Sequence, residues 1–338
     1  MEMRQLGKLW PVSALTLGGG GLGQIWGATT RDEAVATVRA AADAGITLFD
    51  MAPLYGRGEA EAVMGATFEG KWPDGIRVTT KCMIGQRNFP DVAARLETSL
   101  TRSLATMHRE QADIFLLHSN ICPDDYVYER DPDFPNFGAV TRTQFVEIIV
   151  PTFEKLKAQG LIGAWGITGT GLPRAIMDVL REGPRPAVVQ AVTNLLDSPG
   201  GMRRYEEPAE PRNIIRTAKN NDVGVMGIRA VQAGALTSAI DRKMDENEPE
   251  MQDYARAAPF RALCRELGED PAIVAHRYAL AIPGVDTLVL GVKNRNELAS
   301  IVDAAARGPL EAGLVKRIDA LRLNFQMPRM PIDGEDML

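Results

Sequence analysis

Eight short apolar segments, separated by longer amphipathic ones, constrain the fold of this chain more than any other feature. They read ALTLG (14–18), TLFD (47–50), IRVTTK (76–81), ADIFLLH (112–118), IGAWGIT (162–168), AVVQAV (187–192), VGVMGI (223–228) and TLVLG (287–291). Apolar runs without strict alternation are typical of strands buried on both faces of a parallel sheet. Eight such strands with intervening helices close into a barrel. We therefore predict an α/β fold that consists of a single (β/α)8 TIM barrel.

The segments between these strands carry helix and loop signals. TRDEAVATVRAAADAG (30–45) and DVAARLETSLTRSLATM (91–107) are amphipathic at helical spacing. Thr30 and Glu33 form a capping-box pattern, and Gly45 is placed to end the first of these helices.

Three further segments extend the predicted barrel. MRQLGKLWPVS predicts an N-terminal β-hairpin ahead of the first strand. SNICPDDYVYERDPDFPNFGAVTRTQ (119–144) predicts a long loop at the C-terminal face, after the fourth strand. We expect the barrel to occupy residues 1–325 and residues 326–338 to form a C-terminal tail.

Charge, cysteine content and the N-terminus narrow the class of protein. The net charge of −6 argues against nucleic acid or an anionic membrane as the partner. The N-terminus lacks the apolar region of a signal peptide, and no apolar run reaches the ~18 residues of a membrane span. Three scattered cysteines argue against a disulfide framework, and three histidines outside any Cys/His cluster argue against a metal site. We expect a cytoplasmic protein that is a monomer or a weak homo-oligomer.

A glycine-rich segment, GGGGLG, matches the G-x-G-x-x-G pattern of dinucleotide-binding loops at Gly18, Gly20 and Gly23. In a Rossmann fold the third glycine opens a helix, and an acidic residue about 20 positions later binds the ribose. Here QIWGATT separates Gly23 from the predicted helix, and Asp43, the acid nearest that distance, lies within a helix. We therefore interpret the segment as a tight turn at the barrel mouth, where a ligand can approach the backbone closely.

Polar residues follow the second, third and fourth predicted strands. Asp50, Lys81 and His118 end these strands, and Tyr55 follows Asp50 by a short loop. In (β/α)8 barrels the C-terminal ends of the strands carry the active site. Each residue alone has an ordinary structural explanation, but four on one rim favour a catalytic site.

These four side chains suit proton transfer to a carbonyl oxygen. A free tyrosine hydroxyl has a pKa near ~10, and a neighbouring ammonium at Lys81 lowers it. Asp50 would keep Lys81 charged, and His118 could donate a hydrogen bond to a substrate oxygen. Hydride must come from a nicotinamide or flavin, because no side chain supplies it.

At these residues the chain resembles the aldo-keto reductase family, over nearly its whole length. FDMAPLYGRGEAEAVMG is similar to the family's segment with the catalytic aspartate and tyrosine, and VTTKC and FLLHSN to its lysine and histidine segments. LGKLWPVSALTLGGGGLG is similar to its opening hairpin and first strand. The resemblance implies a (β/α)8 barrel, a reduced nicotinamide cofactor without metal, and Asp50, Tyr55, Lys81 and His118 as the catalytic tetrad. Tyr55 would be the general acid in reduction and the base in oxidation.

The resemblance also implies where the cofactor binds. Thr168 and Gly169 stand where the family often has a Ser-Asn pair for the nicotinamide carboxamide. Gln190 matches a family glutamine with the same role, although it could also be a polar residue satisfied inside the barrel. MGIRAVQAGALTS (226–238) is similar to the segment beneath the pyrophosphate, with Arg229 as a phosphate contact. The predicted cofactor contacts are Gly20, Gly21, Asp50, Thr168, Gly169, Gln190, Gly227, Arg229, Gly291, Lys293, Asn294 and Glu297.

The segment LGVKNRNELASIVDAA (290–305) is similar to the one with which the family binds the 2′-phosphate. Lys293 and Arg295 could bind this phosphate near a helix N-terminus, which favours anions, or could begin an ordinary solvated helix. Glu297 stands where the family usually has Arg or Gln, and Ile301 where it usually has Asn. We expect NADPH as the cofactor, and we keep NADH as an alternative because a carboxylate beside a phosphate weakens the binding of that phosphate.

Aromatic residues in two loops predict an apolar substrate pocket. Trp26 follows the first strand, and Tyr126, Tyr128, Phe134 and Phe137 lie in the long loop. They could line a pocket or pin the loop. The predicted substrate contacts are Trp26, Tyr55, His118, Tyr126 and Tyr128.

These observations leave three functions open. We expect NAD(P)H-dependent reduction of a bulky ketone or aldehyde to an alcohol. Oxidation of a sugar at its anomeric carbon is the alternative, because similar sequences occur among aldose dehydrogenases of the family. A nicotinamide-binding regulatory or accessory subunit is an alternative of another class, since a shared fold does not determine function.

Overall fold

The computed structural model of the chain describes residues 1–89 and 91–324, which contain a closed barrel of eight parallel strands. The strands of these residues are β1 (Met3–Gln5), β2 (Pro11–Ser13), β3 (Leu15–Gly18), β4 (Leu48–Asp50), β5 (Arg77–Cys82), β6 (Ala112–Leu117), β7 (Asn120–Cys122), β8 (Ala139–Thr141), β9 (Ile162–Thr168), β10 (Val188–Val192), β11 (Gly224–Ile228) and β12 (Thr287–Leu290). Around the barrel the order is β3, β4, β5, β6, β9, β10, β11 and β12, and β12 pairs with β3 to close it. Each of the eight predicted segments forms one barrel strand, so the predicted fold is confirmed.

Helices flank the barrel strands, as the alternating pattern predicts. Those of the described residues are α1 (Gly19–Leu22), α2 (Arg31–Asp43), α3 (Glu59–Phe68), α4 (Val92–Met107), α5 (Pro135–Gly138), α6 (Arg142–Gln144), α7 (Val150–Ala158), α8 (Pro173–Arg181), α9 (Pro211–Asn220), α10 (Pro249–Arg256), α11 (Ala258–Leu267), α12 (Pro271–Ala281), α13 (Arg295–Ala306) and α14 (Ala312–Asp319). Short 3₁₀ helices lie at Tyr55–Gly58, Gln86–Asn88, Gly200–Met202 and Gln232–Gly234. One turn of π-helix lies at Phe145–Ile149.

The predicted start of α2 is confirmed in part. The Thr30 hydroxyl accepts the main-chain N–H of Glu33 at 3.2 Å, which satisfies one free donor of the first turn. The Glu33 carboxylate does not return to Thr30 but binds Arg295 at the start of α13. Gly45 follows the helix with φ +83°, a conformation that favours glycine.

The N-terminal hairpin closes one end of the barrel. β1 and β2 pair antiparallel, with Met3 opposite Ser13. Leu6 and Val12 are fully buried against inward side chains of β4, β6, β10 and β11. Apolar side chains thus fill the end at which the strands begin, and the polar side chains of the site collect at the other end.

The predicted long loop after β6 contains structure of its own. β7 and β8 form a two-stranded parallel sheet, with Asn120 opposite Ala139. Between them Tyr128 and Phe134 are buried in an apolar cluster that includes Tyr205. The sequence does not predict β7 and β8, because three residues are too few to show the alternation of apolar and polar side chains that marks a strand.

Three further predictions concern the C-terminal tail, a membrane span and a metal site. The predicted tail, residues 326–338, lies outside them. No helix in residues 1–89 and 91–324 combines the length and apolarity needed to cross a membrane. In the same part of the chain, no group of three or more His, Cys, Asp or Glu side chains is arranged to hold a metal ion.

Candidate active site

Adjacent strands bring the four predicted catalytic residues together. Asp50 ends β4, Lys81 lies near the end of β5, and His118 directly follows β6. Because β4, β5 and β6 are neighbours in the barrel, their C-terminal ends meet at one rim. Tyr55 lies on the same rim, in the helical turn that follows β4.

Lys81 is the centre of the cluster. Its Nζ donates hydrogen bonds to Asp50 Oδ2 at 2.8 Å, to the Met51 carbonyl at 2.9 Å and to the Tyr55 hydroxyl at 3.0 Å. An ammonium has three N–H groups, so these three partners use all of them. The Lys81 side chain is 0% exposed and that of Asp50 2% exposed. A buried charge needs such partners, because burial of an unpaired ion is costly.

Two further side chains hold the Asp50 carboxylate. The Thr79 hydroxyl donates to Asp50 Oδ1 at 2.5 Å, and Gln190 Nε2 donates to the same oxygen at 2.8 Å. Our sequence reasoning missed the contribution of Thr79. The available signal was its spacing of two residues from Lys81, which places both side chains on the inner face of β5.

Burial and charge act in opposite directions on this cluster. Burial raises the pKa of Tyr55, and the positive charge of Lys81 offsets only part of that rise. The expectation that Lys81 lowers the Tyr55 pKa is therefore wrong for the net shift, although Lys81 contributes in the expected direction. Burial lowers the pKa of Lys81, but Asp50 and Tyr55 outweigh it and leave that pKa raised. The site therefore holds a protonated tyrosine beside a charged lysine.

His118 faces Tyr55 as a neutral ring. The two ring centroids are 6.0 Å apart at an interplanar angle of 89°. Burial, together with the charge of Lys81, lowers the pKa of His118 to about 3. Its Nδ1 is buried and has no hydrogen-bond partner among the described residues. A neutral imidazole carries one N–H, so His118 can donate one hydrogen bond without bringing a charge.

The depressed pKa of His118 predicts an acid sensitivity. The folded-state pKa lies below the value of about 6.5 expected in the unfolded chain. The unfolded chain therefore binds the extra proton as pH falls from about 6.5 toward the folded value, and stability is lost over that window. We expect His118→Gln to lose less unfolding free energy than wild type between about pH 7 and about pH 4.5 in urea titrations. The exposed His108, replaced in the same way, is the control, and equal acid sensitivity of wild type and His118→Gln would contradict the prediction.

The glycine-rich segment supports Tyr55. A Cβ on Gly23 would lie 2.5 Å from the backbone carbon of Tyr55, and one on Gly19 would lie 3.1 Å from its ring. The glycines therefore allow the turn that carries Tyr55 to pack directly on the end of β3. The Rossmann interpretation is excluded, and what approaches this backbone is the turn that carries Tyr55.

The rim beside Asp50 has the donors and acceptors that a carboxamide needs. Thr168 ends β9, and its hydroxyl donates to the Leu117 carbonyl at 3.2 Å. The main-chain N–H of Gly169 donates to the Gln190 carbonyl at 2.7 Å, which joins the two strand ends. A glutamine amide has two N–H groups and one carbonyl oxygen, so Gln190 can bind Asp50 and a ligand amide together. These residues fit the nicotinamide end of a dinucleotide.

Arg229 directly follows β11, which contains Gly227, and its side chain is 9% exposed. Its Nε donates to Gln232 Oε1 at 2.8 Å, and its guanidinium forms a 2.6 Å ion pair with Glu250. Glu250 Oε1 also accepts the main-chain N–H of Gly201 at 3.0 Å. Sequence reasoning missed Glu250, because it lies in α10 and belongs to no motif.

The start of α13 carries the remaining predicted cofactor residues. Asn294 caps the helix, since its Oδ1 accepts the Glu297 N–H at 2.9 Å. Lys293 forms an ion pair with Asp241, and Glu297 lies 3.3 Å from the same ammonium. Asp241 was not predicted, because it lies in a loop that is far from Lys293 in the sequence and carries no motif.

The aromatic residues of the two loops divide into two groups, Trp26 with Tyr126 and Tyr128 with Phe134 and Phe137. Trp26 lies against the predicted cofactor residues Gly20 and Gly291, where a Cβ on Gly20 would be 2.5 Å from its Nε1. Gly21 packs closely against the Val292 backbone. The Tyr126 hydroxyl donates to Glu207 Oε2 at 3.0 Å.

The second group pins the long loop. Tyr128 is 2% exposed, with its ring 4.9 Å from Tyr126 and 5.3 Å from Phe134. Phe134 in turn lies 5.6 Å from the more exposed Phe137. The structure places Tyr128 and Phe134 in the packing of the loop, the alternative that the sequence left open.

Comparisons with known proteins agree with this geometry. The profile of the aldo/keto reductase family matches residues 14–323. A pyridoxal 4-dehydrogenase from Microbacterium luteolum is 38% identical over 334 residues, covering 88% of this chain and 91% of its own. An L-galactose dehydrogenase from Arabidopsis thaliana is 27% identical over 308 residues, covering 90% and 88%. The crystal structure of an aldo-keto reductase from Klebsiella pneumoniae in complex with NADPH is 19% identical, covers 96% of both chains and superposes with a TM-score of 0.67.

Proposed function

This chain belongs to the aldo/keto reductase family, and from that premise we propose that Tyr55, Lys81, Asp50 and His118 carry out reversible carbonyl reduction with a nicotinamide cofactor. The observation that carries the assignment of roles is the Lys81 ammonium, which bridges Asp50 at 2.8 Å and the Tyr55 hydroxyl at 3.0 Å in a buried site. The enzyme is an NAD(P)H-dependent oxidoreductase that interconverts a carbonyl compound and an alcohol.

In the reducing direction Tyr55 gives its proton to the carbonyl oxygen. Burial keeps the hydroxyl protonated until the oxygen becomes basic, and the charge of Lys81 then stabilises the phenolate that remains. Asp50 holds Lys81 in position and keeps it charged. His118, as a neutral donor, orients the carbonyl oxygen toward Tyr55. In oxidation the phenolate takes the proton of the alcohol.

The cofactor would lie across the rim from Gln190 to α13. A bound reduced nicotinamide supplies the hydride that the side chains cannot. Gln190 and Thr168 would hold its carboxamide, and Arg229 and Lys293 would face its phosphates. NADPH is the favoured form, because Lys293 lies at a helix N-terminus and because the Klebsiella relative was crystallised with NADPH. Glu297 keeps NADH as the alternative.

Replacing Lys293 by alanine tests this cofactor assignment. A charge-assisted hydrogen bond to a phosphate contributes enough that its loss should weaken NADPH binding about 3- to 10-fold. NADH lacks the 2′-phosphate, so its affinity should change less than about twofold. Titrations of tryptophan fluorescence, confirmed by calorimetry, measure both affinities. Lys243→Ala, which removes an exposed lysine nearby, is the control, and equal weakening of both cofactors would show that Lys293 does not bind the 2′-phosphate.

The proposed substrate is a bulky aldehyde or ketone. Trp26 lies in the loop after β3, against Gly20 and Gly291, and Tyr126 lies in the loop after β6. Both loops leave the C-terminal ends of barrel strands, where aromatic side chains suit an apolar or aromatic substrate body. The name of the Microbacterium relative, a pyridoxal 4-dehydrogenase, supports an aromatic aldehyde. The name of the Arabidopsis relative, an L-galactose dehydrogenase, supports the alternative, oxidation of an aldose at its anomeric carbon.

One experiment separates these functions. The purified protein is titrated with NADPH and NADH, and turnover is then followed with bulky aldehydes and ketones in reduction and with aldoses in oxidation. Faster turnover of the bulky carbonyl compounds supports the main proposal, and faster turnover of aldoses supports the alternative. Binding of cofactor without turnover on either panel would favour an accessory subunit. Absence of binding to either cofactor would contradict the proposed function.

A further inference from the structure

Two positive side chains lie at the start of α13, and each already contacts a carboxylate of the protein. Lys293 Nζ forms an ion pair with Asp241 and lies 3.3 Å from Glu297 Oε1. Arg295 binds the Glu33 carboxylate through two hydrogen bonds, of 2.9 and 3.1 Å. A ligand phosphate that binds here must therefore share these cations with protein acids or displace the acids.

The two carboxylates around Lys293 are held differently. Glu297 belongs to α13, and its Oε2 accepts the main-chain N–H of Lys293 at 2.9 Å, so it is fixed at the helix start. Asp241 comes from the irregular segment between the turn Gln232–Gly234 and α10, and its side chain is 51% exposed. Water can replace Lys293 as the partner of an exposed carboxylate, so an incoming anion displaces Asp241 more easily than Glu297.

The segment that carries Asp241 reaches the barrel mouth. Arg242 donates to the Ala233 carbonyl at 2.7 Å, and its guanidinium lies 5.7 Å from the centre of the Trp26 ring. The Lys293 side chain also packs against Gly27, where a Cβ would lie 3.1 Å from its Cδ. With these segments around it, the Lys293 side chain is only 16% exposed. There is thus little room for a ligand anion and the Asp241 carboxylate to bind the ammonium together.

We propose that Asp241 is a specificity-determining residue, which competes with the 2′-phosphate of NADPH for Lys293 and so reduces the preference for NADPH over NADH. The inference rests on the proposed function, which places that phosphate beside Lys293. A phosphate monoester carries about −1.5 to −2 charges at neutral pH, so it competes with the singly charged Asp241 carboxylate for the Lys293 ammonium. NADH has a hydroxyl at that position and leaves the ion pair of Asp241 with Lys293 intact.

Asp241→Asn tests the proposal, because the substitution removes the charge and keeps the shape. Loss of an exposed competing ion pair should tighten NADPH binding about fivefold, or roughly 1 kcal/mol. NADH binding should change less than about twofold. The readout is the dissociation constant of each cofactor, from tryptophan fluorescence and calorimetry without substrate. The gain for NADPH should shrink as salt is raised, since screening weakens interactions between exposed charges.

Two control variants make the result specific. Glu246→Gln removes an equal charge from an exposed position on the same segment and should leave the ratio of the two affinities unchanged. In the background of Lys293→Ala, Asp241→Asn should lose its effect, because the cation for which it competes is gone.

The outcomes separate this inference from the proposed function. If the wild type binds neither cofactor, the proposed function fails. If the wild type binds NADH but Asp241→Asn leaves NADPH affinity unchanged, or tightens both cofactors equally, only the role of Asp241 is refuted. A gain that persists in the Lys293→Ala background also refutes it.

Discussion

Replacement of Tyr55 by phenylalanine is expected to lower kcat by about 10²- to 10⁴-fold, the contribution of a positioned general acid. The substitution removes the hydroxyl that receives a hydrogen bond from Lys81 at 3.0 Å and would protonate the carbonyl oxygen. The ring keeps its place, because it packs on Gly19 and crosses His118 at 89°. Cofactor affinity should therefore stay within about twofold of the wild type.

Steady-state kinetics on the best substrate of the panel, together with cofactor titration, check this result. Tyr254→Phe is the matched control, because it removes a hydroxyl that donates to the Ser238 carbonyl at 3.0 Å and belongs to none of the predicted site residues. It should retain most of the turnover. Turnover of Tyr55→Phe close to that of the wild type would eliminate Tyr55 as the proton donor.

Lys81→Met should abolish turnover and also destabilise the fold by about 3–5 kcal/mol, the cost of breaking a buried ion pair from one side. The Asp50 carboxylate, 2% exposed, would lose its charged partner and keep only the neutral donors Thr79 and Gln190. Urea denaturation at neutral pH measures the free energy of unfolding. The double variant Asp50→Asn with Lys81→Met should be more stable than Lys81→Met, because it leaves no unpaired charge.

Lys155→Met is the control for this second prediction. Lys155 forms a 2.6 Å ion pair with Glu97, and its side chain is largely exposed. The same substitution should cost less than about 1 kcal/mol there, as is typical of surface pairs. Equal losses at positions 81 and 155 would mean that the Asp50–Lys81 pair is not desolvated as the structure shows.

The barrel and the clustering of Asp50, Lys81 and His118 at one rim could be predicted from the sequence, because both follow from local patterns. A strand buried on both faces shows as an apolar run, and in this architecture the residue that ends the run must lie at the active rim. Asp50, Lys81 and His118 each end such a run. Because β4, β5 and β6 are adjacent in the barrel, the strand order alone then places these three residues beside one another.

The contacts that come from loops could not be predicted in this way. Asp241, in an irregular segment, and Glu250, at the start of α10, reach Lys293 and Arg229 through tertiary packing. No periodic pattern in the sequence predicts such contacts. The prediction that the Tyr55 pKa is lowered was wrong for a related reason. The sequence reveals that a lysine is near, but the extent of burial, which outweighs it, is a property of the assembled rim.

The closure of the barrel has a consequence for how the chain folds during its synthesis on the ribosome. The four clustered side chains, at positions 50, 55, 81 and 118, all lie in the first 118 residues. The strand β3 has its second neighbour only when β12 is available, with Leu15 opposite Leu288. A nascent chain in which the earlier barrel strands have paired would hold an open sheet until then, and the unpaired edge of β3 would invite association with other chains. The side chains of the proposed site are therefore synthesised long before the barrel that holds them can close, and we expect the demand for chaperones to be greatest before β12 is available.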